Sequence, residues 1–314
     1  MSPAYADPAL DSLLRAALRR LEAELADQTP YLAGRVAVWL RELAAGAAPE
    51  AYFLNPIGFP LLRLPWWLAE TLGDREAAFH AELVFSSVNG YYFIRLLDNA
   101  MDGHPAADPA LERAVLPAAA VFHTNFQAVY QRCFPAGHRF WADFARHWFG
   151  AAEAAAHDAG LPEVDAAAFR QWAAQKVGAA KIPLAAVCHH AGRPDRLAPW
   201  AAFVDAYGAW HQMWNDVFDW SKDLRLSTRT YFLGEAERRR RPDEAPAAWV
   251  AREGFAWGMA ELEAGLAEAR ALAETLGSPA LLGYLDARGA MLRQARAAVA
   301  PGLEALARLA LALK

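Results

Sequence analysis

The sequence predicts an all-α protein in one domain spanning residues 1–314, on three observations. Apolar residues recur at a helical period through nearly every segment, the intervals between periodic segments carry Pro, Gly or Asp, and no two stretches alternate as paired strands would. With 314 residues, 55% of them hydrophobic, the chain has enough apolar material for a large core.

Taken in order, residues 8–26 open with Pro8 near a first turn and continue in a leucine–alanine pattern. A second helix is expected over 30–46, ending in the Ala-Gly-Ala-Ala-Pro break at 45–49. The stretch 52–65 has three prolines and reads as an irregular segment before Trp66 and Trp67. A long helix is predicted from 74 to 102, stopped by Gly103 and Pro105. Further helices are predicted over 108–133, 138–159, 165–191, 196–224, 246–276 and 279–311. The run Arg238-Arg239-Arg240-Arg241-Pro242 reads as a solvated loop, because its neighbours are acidic. No internal repeat or low-complexity linker is visible.

A formal charge of -5 implies no broad basic face, so no nucleic-acid partner is expected. Cations are mostly Arg; the lysines are Lys176, Lys181, Lys222 and Lys314. Cys133 and Cys188, without a short-range pairing pattern, fit a reducing compartment and argue against a disulfide framework or zinc site. The first twenty residues carry early acids and no apolar run after a basic start, so no secretory signal is expected. No stretch reaches about 18 uninterrupted apolar residues, and no membrane span is predicted. A cytoplasmic, soluble protein is the expectation.

The most informative stretch runs from His211 to Asp223. Asn215, Asp219 and Asp223 fall at i, i+4 and i+8 on one helix face, with Gln212 and Asp216 beside them. The row spans roughly 12 Å of helix axis. Stacked carboxylates repel, so an isolated helix gains nothing from them. Trp214, Val217, Phe218 and Trp220 surround them with interior-type bulk. Carboxylates so placed call for a cation, and oxygen donors without Cys or His suit a hard ion such as Mg²⁺. A second set, Asp98 and Asp102, is again i and i+4, at the C-terminal end of a long apolar helix. Carboxylates are disfavoured there by the helix dipole, which again asks for a local cation.

Asp98-Asn99-Ala100-Met101-Asp102 resembles the aspartate-rich DDxxD motif of class I isoprenoid synthases, with Asn99 at the second Asp position. Gln212-x-x-Asn215-Asp216-x-x-Asp219-x-x-x-Asp223 resembles the second metal motif of that superfamily. In the QxxDDxxDxxxD form of trans-prenyl diphosphate synthases, only Asn215 departs. In the Asn, Ser/Thr, Glu triad of terpene cyclases, Asn215 fits while Asp219 and Asp223 replace Ser/Thr and Glu. Squalene and phytoene synthases carry a similar spacing. The resemblance covers residues 80–235 by motif; the remaining helical pattern is compatible with it.

The resemblance implies a helical bundle around a deep apolar cavity, with the two motifs facing each other across its mouth. It implies Mg²⁺, three ions in this family, bridging Asp98, Asp102, Asn215, Asp219 and Asp223 to a prenyl diphosphate. Asp216 is either a supporting group or the ligand that replaces Asn215 in the prenyl-synthase register. Arg229, followed by Thr230 and Tyr231, sits fourteen residues after Asn215, where prenyl synthases place a diphosphate-binding Lys. Lys176 resembles the family's upstream lysine, with Arg170 or Lys181 as alternatives, and Lys222 and Arg225 are nearby. Asp98, Asp219 and Arg229 are therefore the expected catalytic residues, and Lys176, Lys222, Arg229 and Tyr231 the diphosphate contacts.

Prenyl-chain elongation needs a second set of cations for isopentenyl diphosphate. Arg113 stands alone after the first motif, and the N-terminal region offers Asn55-Pro56-Ile57-Gly58 with Arg63 only. A reaction on one allylic diphosphate is favoured. Tyr91, Phe93, Trp214 and Phe218 are the aromatic faces expected to stabilise a carbocation, with core filling as the plain alternative. Tyr92, Trp210 and Trp220 belong to the same set. His189-His190 reads as a helix end, capped or exposed, and His211 as a residue that orients Asn215. Glu153 and His157 lack the spacing of a di-iron bundle. The expected activity is that of a Mg²⁺-dependent terpene synthase. The alternatives are a chain-elongating or head-to-head prenyltransferase and a catalytically silent prenyl-binding protein. A homodimer is left open as its assembly.

Overall fold

The computed structural model describes residues 7–74, 76–102, 109–158 and 165–312, the side chains of 102, 109, 157, 158 and 304–312 excepted. Among these the chain is helical throughout and contains no strand, as its periodicity predicts. It divides into two compact bodies. One takes the chain through Arg146 and adds Ile182–Leu197; the other takes His147–Lys181 and the chain from Ala198 onward.

In the first body, α1 (Pro8–Gln28) starts where the Asp7 carboxylate accepts the Ala9 amide at 2.8 Å, with Pro8 in the first turn. It is followed by α2 (Pro30–Leu43), α3 (Glu50–Leu54), α4 (Arg63–Leu72), α5 (Ala77–Asp102), α6 (Pro109–Val115) and α7 (Ala119–Cys133). Helix α5 packs along α1 and α7. Leu14, Leu21, Val36, Trp39, Val88, Tyr92 and Phe122 fill the space between. Gly90 permits the α5–α7 approach: a Cβ there would lie 2.6 Å from the Phe126 ring. The expectation of an irregular 52–65 is corrected. Glu50–Leu54 and the chain from Arg63 are helical, and Pro65 falls in the first turn of α4, where backbone N–H groups need no helical partner. The helix expected over 108–133 is interrupted at Pro117 by a 3₁₀ turn, Leu116–Ala118. The second helix ends at Leu43, and Ala45 and Gly46 turn the chain with positive φ.

Helix α8 (Phe140–Asp158) leads into the second body, which holds α9 (Ala166–Lys176), most of α11 (Leu197–Leu226), α12 (Tyr231–Arg239), α13 (Pro246–Trp249), α14 (Phe255–Leu276) and α15 (Pro279–Ala312). The single helix expected over 165–191 is broken. Helix α9 stops at Lys176, Gly178–Ala180 makes a 3₁₀ turn, and α10 runs Lys181–His190. Packing explains the break. The Val177 side chain fills the place of a Cβ on Gly208 of α11, 2.4 Å from that position, and a Cβ on Gly178 would lie 3.0 Å from the His147 carbonyl. The helix expected over 246–276 is likewise interrupted, by a π turn at Val250–Gly254. Trp200, Phe203, Tyr207, Met259, Leu262 and Tyr284 are fully buried in this body. Gly258 lets α14 close on Val217 and Phe232, 2.7 and 2.9 Å from a Cβ there.

Candidate functional site

The C-terminal turns of α11 alternate between burial and exposure in a way that separates the polar residues by role. Trp214, Asp216 and Val217 are buried, Asn215 and Asp219 are exposed, and Asp223 and Phe218 are half-buried. Asn215, Asp219 and Asp223 therefore share one face, while Asp216 turns inward. Asp219 has no ion-pair or hydrogen-bond partner among the described residues.

Asp216 is fully occupied. Gln212 Nε2 donates to one carboxylate oxygen at 2.9 Å, and the Tyr231 amide donates to the other at 3.1 Å. Burial pushes the Asp216 carboxyl up to about 7 against these hydrogen bonds. The arrangement pins the start of α12 to α11, and Thr230 Oγ1 caps the same turn by accepting the Leu233 amide at 3.2 Å. Helix α11 ends at Leu226, and the next residue, Ser227, has a φ of 56°, left-handed without the glycine that usually supplies it. Exposed Arg229 is thereby held on the short connection between Asp223 and Tyr231.

The other expected cations occupy distinct settings. Lys222 is exposed beside the acidic row. Lys176 ends α9 with its ammonium 4.6 Å from the Trp172 ring centroid. Of the alternatives to Lys176, Lys181 is buried against Asp205, and Arg170 meets Glu268 at 3.5 Å. The Tyr231 ring is stacked on Phe169, 4.7 Å between centroids, and borders a cavity of about 420 Å³. The Arg238–Arg241 run is not one exposed loop. Arg238 and Arg239 lie in the last turn of α12 and both pair with Glu235, Arg239 also covering Trp257.

Aromatic side chains climb α11 as a ladder of neighbouring rings: Tyr207, Trp210, Trp214 and Phe218, with centroids 5.2, 5.6 and 4.5 Å apart. Behind it lies a polar group that sequence reading missed. Arg288 of α15 is 1% exposed and donates to the Tyr284 hydroxyl from Nε at 2.9 Å, and that hydroxyl meets Tyr207 at 2.7 Å. Its only sequence signal is the i, i+4 spacing of Tyr284 and Arg288. Burial and then the Arg288 charge lower the His211 imidazole to about 4, so His211 is neutral at pH 7.

In the first body, Asp98 is half-buried near the end of α5 and accepts Arg95 Nη1 at 3.2 Å. Asp102 ends the same helix, and its side chain lies outside the described residues. The Tyr91 hydroxyl meets Tyr52 at 2.7 Å, and Phe93 sits 5.0 Å from His123. The expectation of a capped or exposed helix end holds for His190, which is exposed, and is corrected for His189, whose side chain is 3% exposed and hydrogen-bonded to Asp143 at 2.8 Å. The structure thus gathers Asn215, Asp219, Asp223, Lys222 and Arg229 at one end of α11 in the second body. Asp98, Asp102, Tyr91 and Phe93 belong to the first body.

Among the described residues no three His, Cys, Asp or Glu side chains converge as a preformed metal cage. The donor chemistry at the end of α11 still fits Mg²⁺. The donors are oxygens, two side chains of the row are open to solvent, and Mg²⁺ is commonly held by one or two carboxylates plus substrate phosphates. No protein-family model matches the chain, and neither does any curated protein sequence.

Proposed function

We propose that this chain is a Mg²⁺-dependent class I terpene synthase-like enzyme that ionises a linear prenyl diphosphate. The observation that carries the proposal is the exposed pair Asn215 and Asp219, in line with half-buried Asp223, on a helix that buries Trp214, Asp216 and Val217 beside them. An open acidic row of this kind costs repulsion and returns nothing to stability unless a cation joins it. Asn215, Asp219 and Asp223 are the residues of the second body that would hold Mg²⁺, and Asp98 and Asp102 of α5 are the metal-binding candidates of the first. Bound there, the ion would offset diphosphate charge and ease departure of the leaving group.

The chain's own groups supply the rest. Arg229 and Lys222 pair with diphosphate oxygens, and Lys176 adds a third cation from the end of α9. The scissile C–O bond breaks with both electrons going to diphosphate. Trp214 and Phe218 offer ring faces to the resulting allylic cation. The cation then loses a proton or takes up water. Asp216 keeps Arg229 on station by holding the start of α12.

The test is diphosphate release with product extraction from ten-, fifteen-, twenty- and twenty-five-carbon allylic diphosphates, with Mg²⁺ or EDTA. Metal-dependent formation of a hydrocarbon or alcohol from one substrate is expected. Asp98→Asn and Asp219→Asn should each lower turnover at least about a hundredfold with unchanged circular dichroism. Longer diphosphates formed only with added isopentenyl diphosphate would reassign the chain to the prenyltransferases. Release that is indifferent to both substitutions would sink the site.

A further inference from the structure

We infer that the second body carries a separate binding site for a small organic cation, an aryl- or alkyl-ammonium ion, in the cavity between α9, α11 and α14. Its volume, about 420 Å³, lies in the range of pockets that hold small organic ligands. The cavity exists because small side chains meet where three helices approach: Ala166 and Ala174 of α9, Ala202, Ala206 and Ala209 of α11, and Gly265 of α14. It is independent of the acidic row. At about 100° per residue, Ala202, Ala206, Ala209 and Met213 fall on a different face of α11 from Asn215 and Asp219.

Its chemistry selects the guest. The inner wall is aromatic, made by the stacked Phe169 and Tyr231 and by Trp210. The indole N–H of Trp210 is already spent on the Leu262 carbonyl at 2.9 Å, so the indole contributes apolar surface. The charged groups of the lining are Arg170, Asp205, Glu261 and Glu268. Arg170 meets Glu268, and Asp205 meets Lys181, which is not part of the lining. Glu261 has no ion-pair or hydrogen-bond partner among the described residues. It stands near Tyr231, whose hydroxyl pKa is raised by burial first and then by Glu235 and Glu261. An anionic guest would meet three carboxylates against one guanidinium. A neutral guest would leave the Glu261 charge as it is. A monocation with an apolar body pairs with Glu261 and lies against aromatic faces that attract it.

Equilibrium dialysis and tryptophan fluorescence with three near-isosteric probes test this: phenylbutylammonium, phenylbutanol and phenylpentanoate. Saturable binding of one equivalent of the ammonium is expected, at least about tenfold tighter than the alcohol or the carboxylate. Glu261→Lys, at an exposed position, should weaken the ammonium about tenfold or more while leaving the fold unchanged. Ala206→Trp should abolish binding of all three by filling the space. Equal affinity for ammonium and carboxylate, ammonium binding unmoved by Glu261→Lys, or no binding up to about 10 mM would each overturn the inference.

Discussion

Asn215 and Asp216 are adjacent in the chain and do opposite things. One faces solvent with its amide free for a ligand; the other is buried and spends both oxygens on Gln212 and the start of α12. His211, one turn earlier, is held neutral by its surroundings, and the two titrations oppose each other. The His211 imidazole lies at about 4 in the folded chain, below the ordinary value of 6.5, so its contribution to stability is complete above pH 6.5 and is lost as pH falls toward 4. The Asp216 carboxyl lies at about 7, above the ordinary 3.8, so its contribution is present at low pH and is lost as pH rises through that interval. Between pH 4 and 6.5 the slopes cancel. In EDTA, urea midpoints should therefore change little across this window through these two groups. His211→Gln should leave a stability that falls with rising pH, by up to about 1.4 kcal/mol per unit, and Asp216→Asn one that rises. Parallel pH profiles for both variants would contradict the assignment. The motif residues themselves were legible because their i, i+4, i+8 spacing survives in sequence. Arg288 was not, since its partners Tyr207 and Tyr284 are 77 residues apart.

At the scale of elements, helix breaks were the least legible feature. Pro117 interrupts a predicted helix, yet Pro65 begins one, and only position within the turn distinguishes them. The break at Val177 has no local breaker strong enough to predict it; its cause is the contact with Gly208, 31 residues away in sequence. A swap experiment follows. Gly208→Ala should destabilise the chain by about 1–3 kcal/mol, because its Cβ would overlap Val177. Adding Val177→Ala should restore much of that loss. A double variant no better than Gly208→Ala alone, judged by thermal midpoints, would show that the two side chains do not meet. The Arg238–Arg241 run reads differently for a similar reason: helix α12 extends far enough to bring two of its arginines onto Glu235.

For the molecule as a whole, helical periodicity specified the fold class, because each helix repeats the same local rule. It could not say how helices are divided between two bodies, since burial within either leaves the same pattern. Charge is a whole-chain property that sequence does give. With a formal charge of -5 and a pI near 6.0, and with three of the four arginines of the run paired to Glu235 and Glu237, solubility should pass through its minimum near pH 6.0. Light scattering across pH 4–9 checks it; a minimum displaced above about pH 8 would reveal an unneutralised basic surface.

The scarcity of lysine bears on anyone who attaches this protein to a sensor chip. Lys181 is buried against Asp205 and half-buried Lys176 lies over Trp172, so Lys222 is the one exposed lysine among the described residues. Molecules coupled through the Lys222 amine would be held by a side chain three positions from Asp219, with the acidic row turned toward the matrix. Molecules attached in that way would be blind at that face, whereas an affinity tag or a cysteine introduced on a remote helix would leave it open.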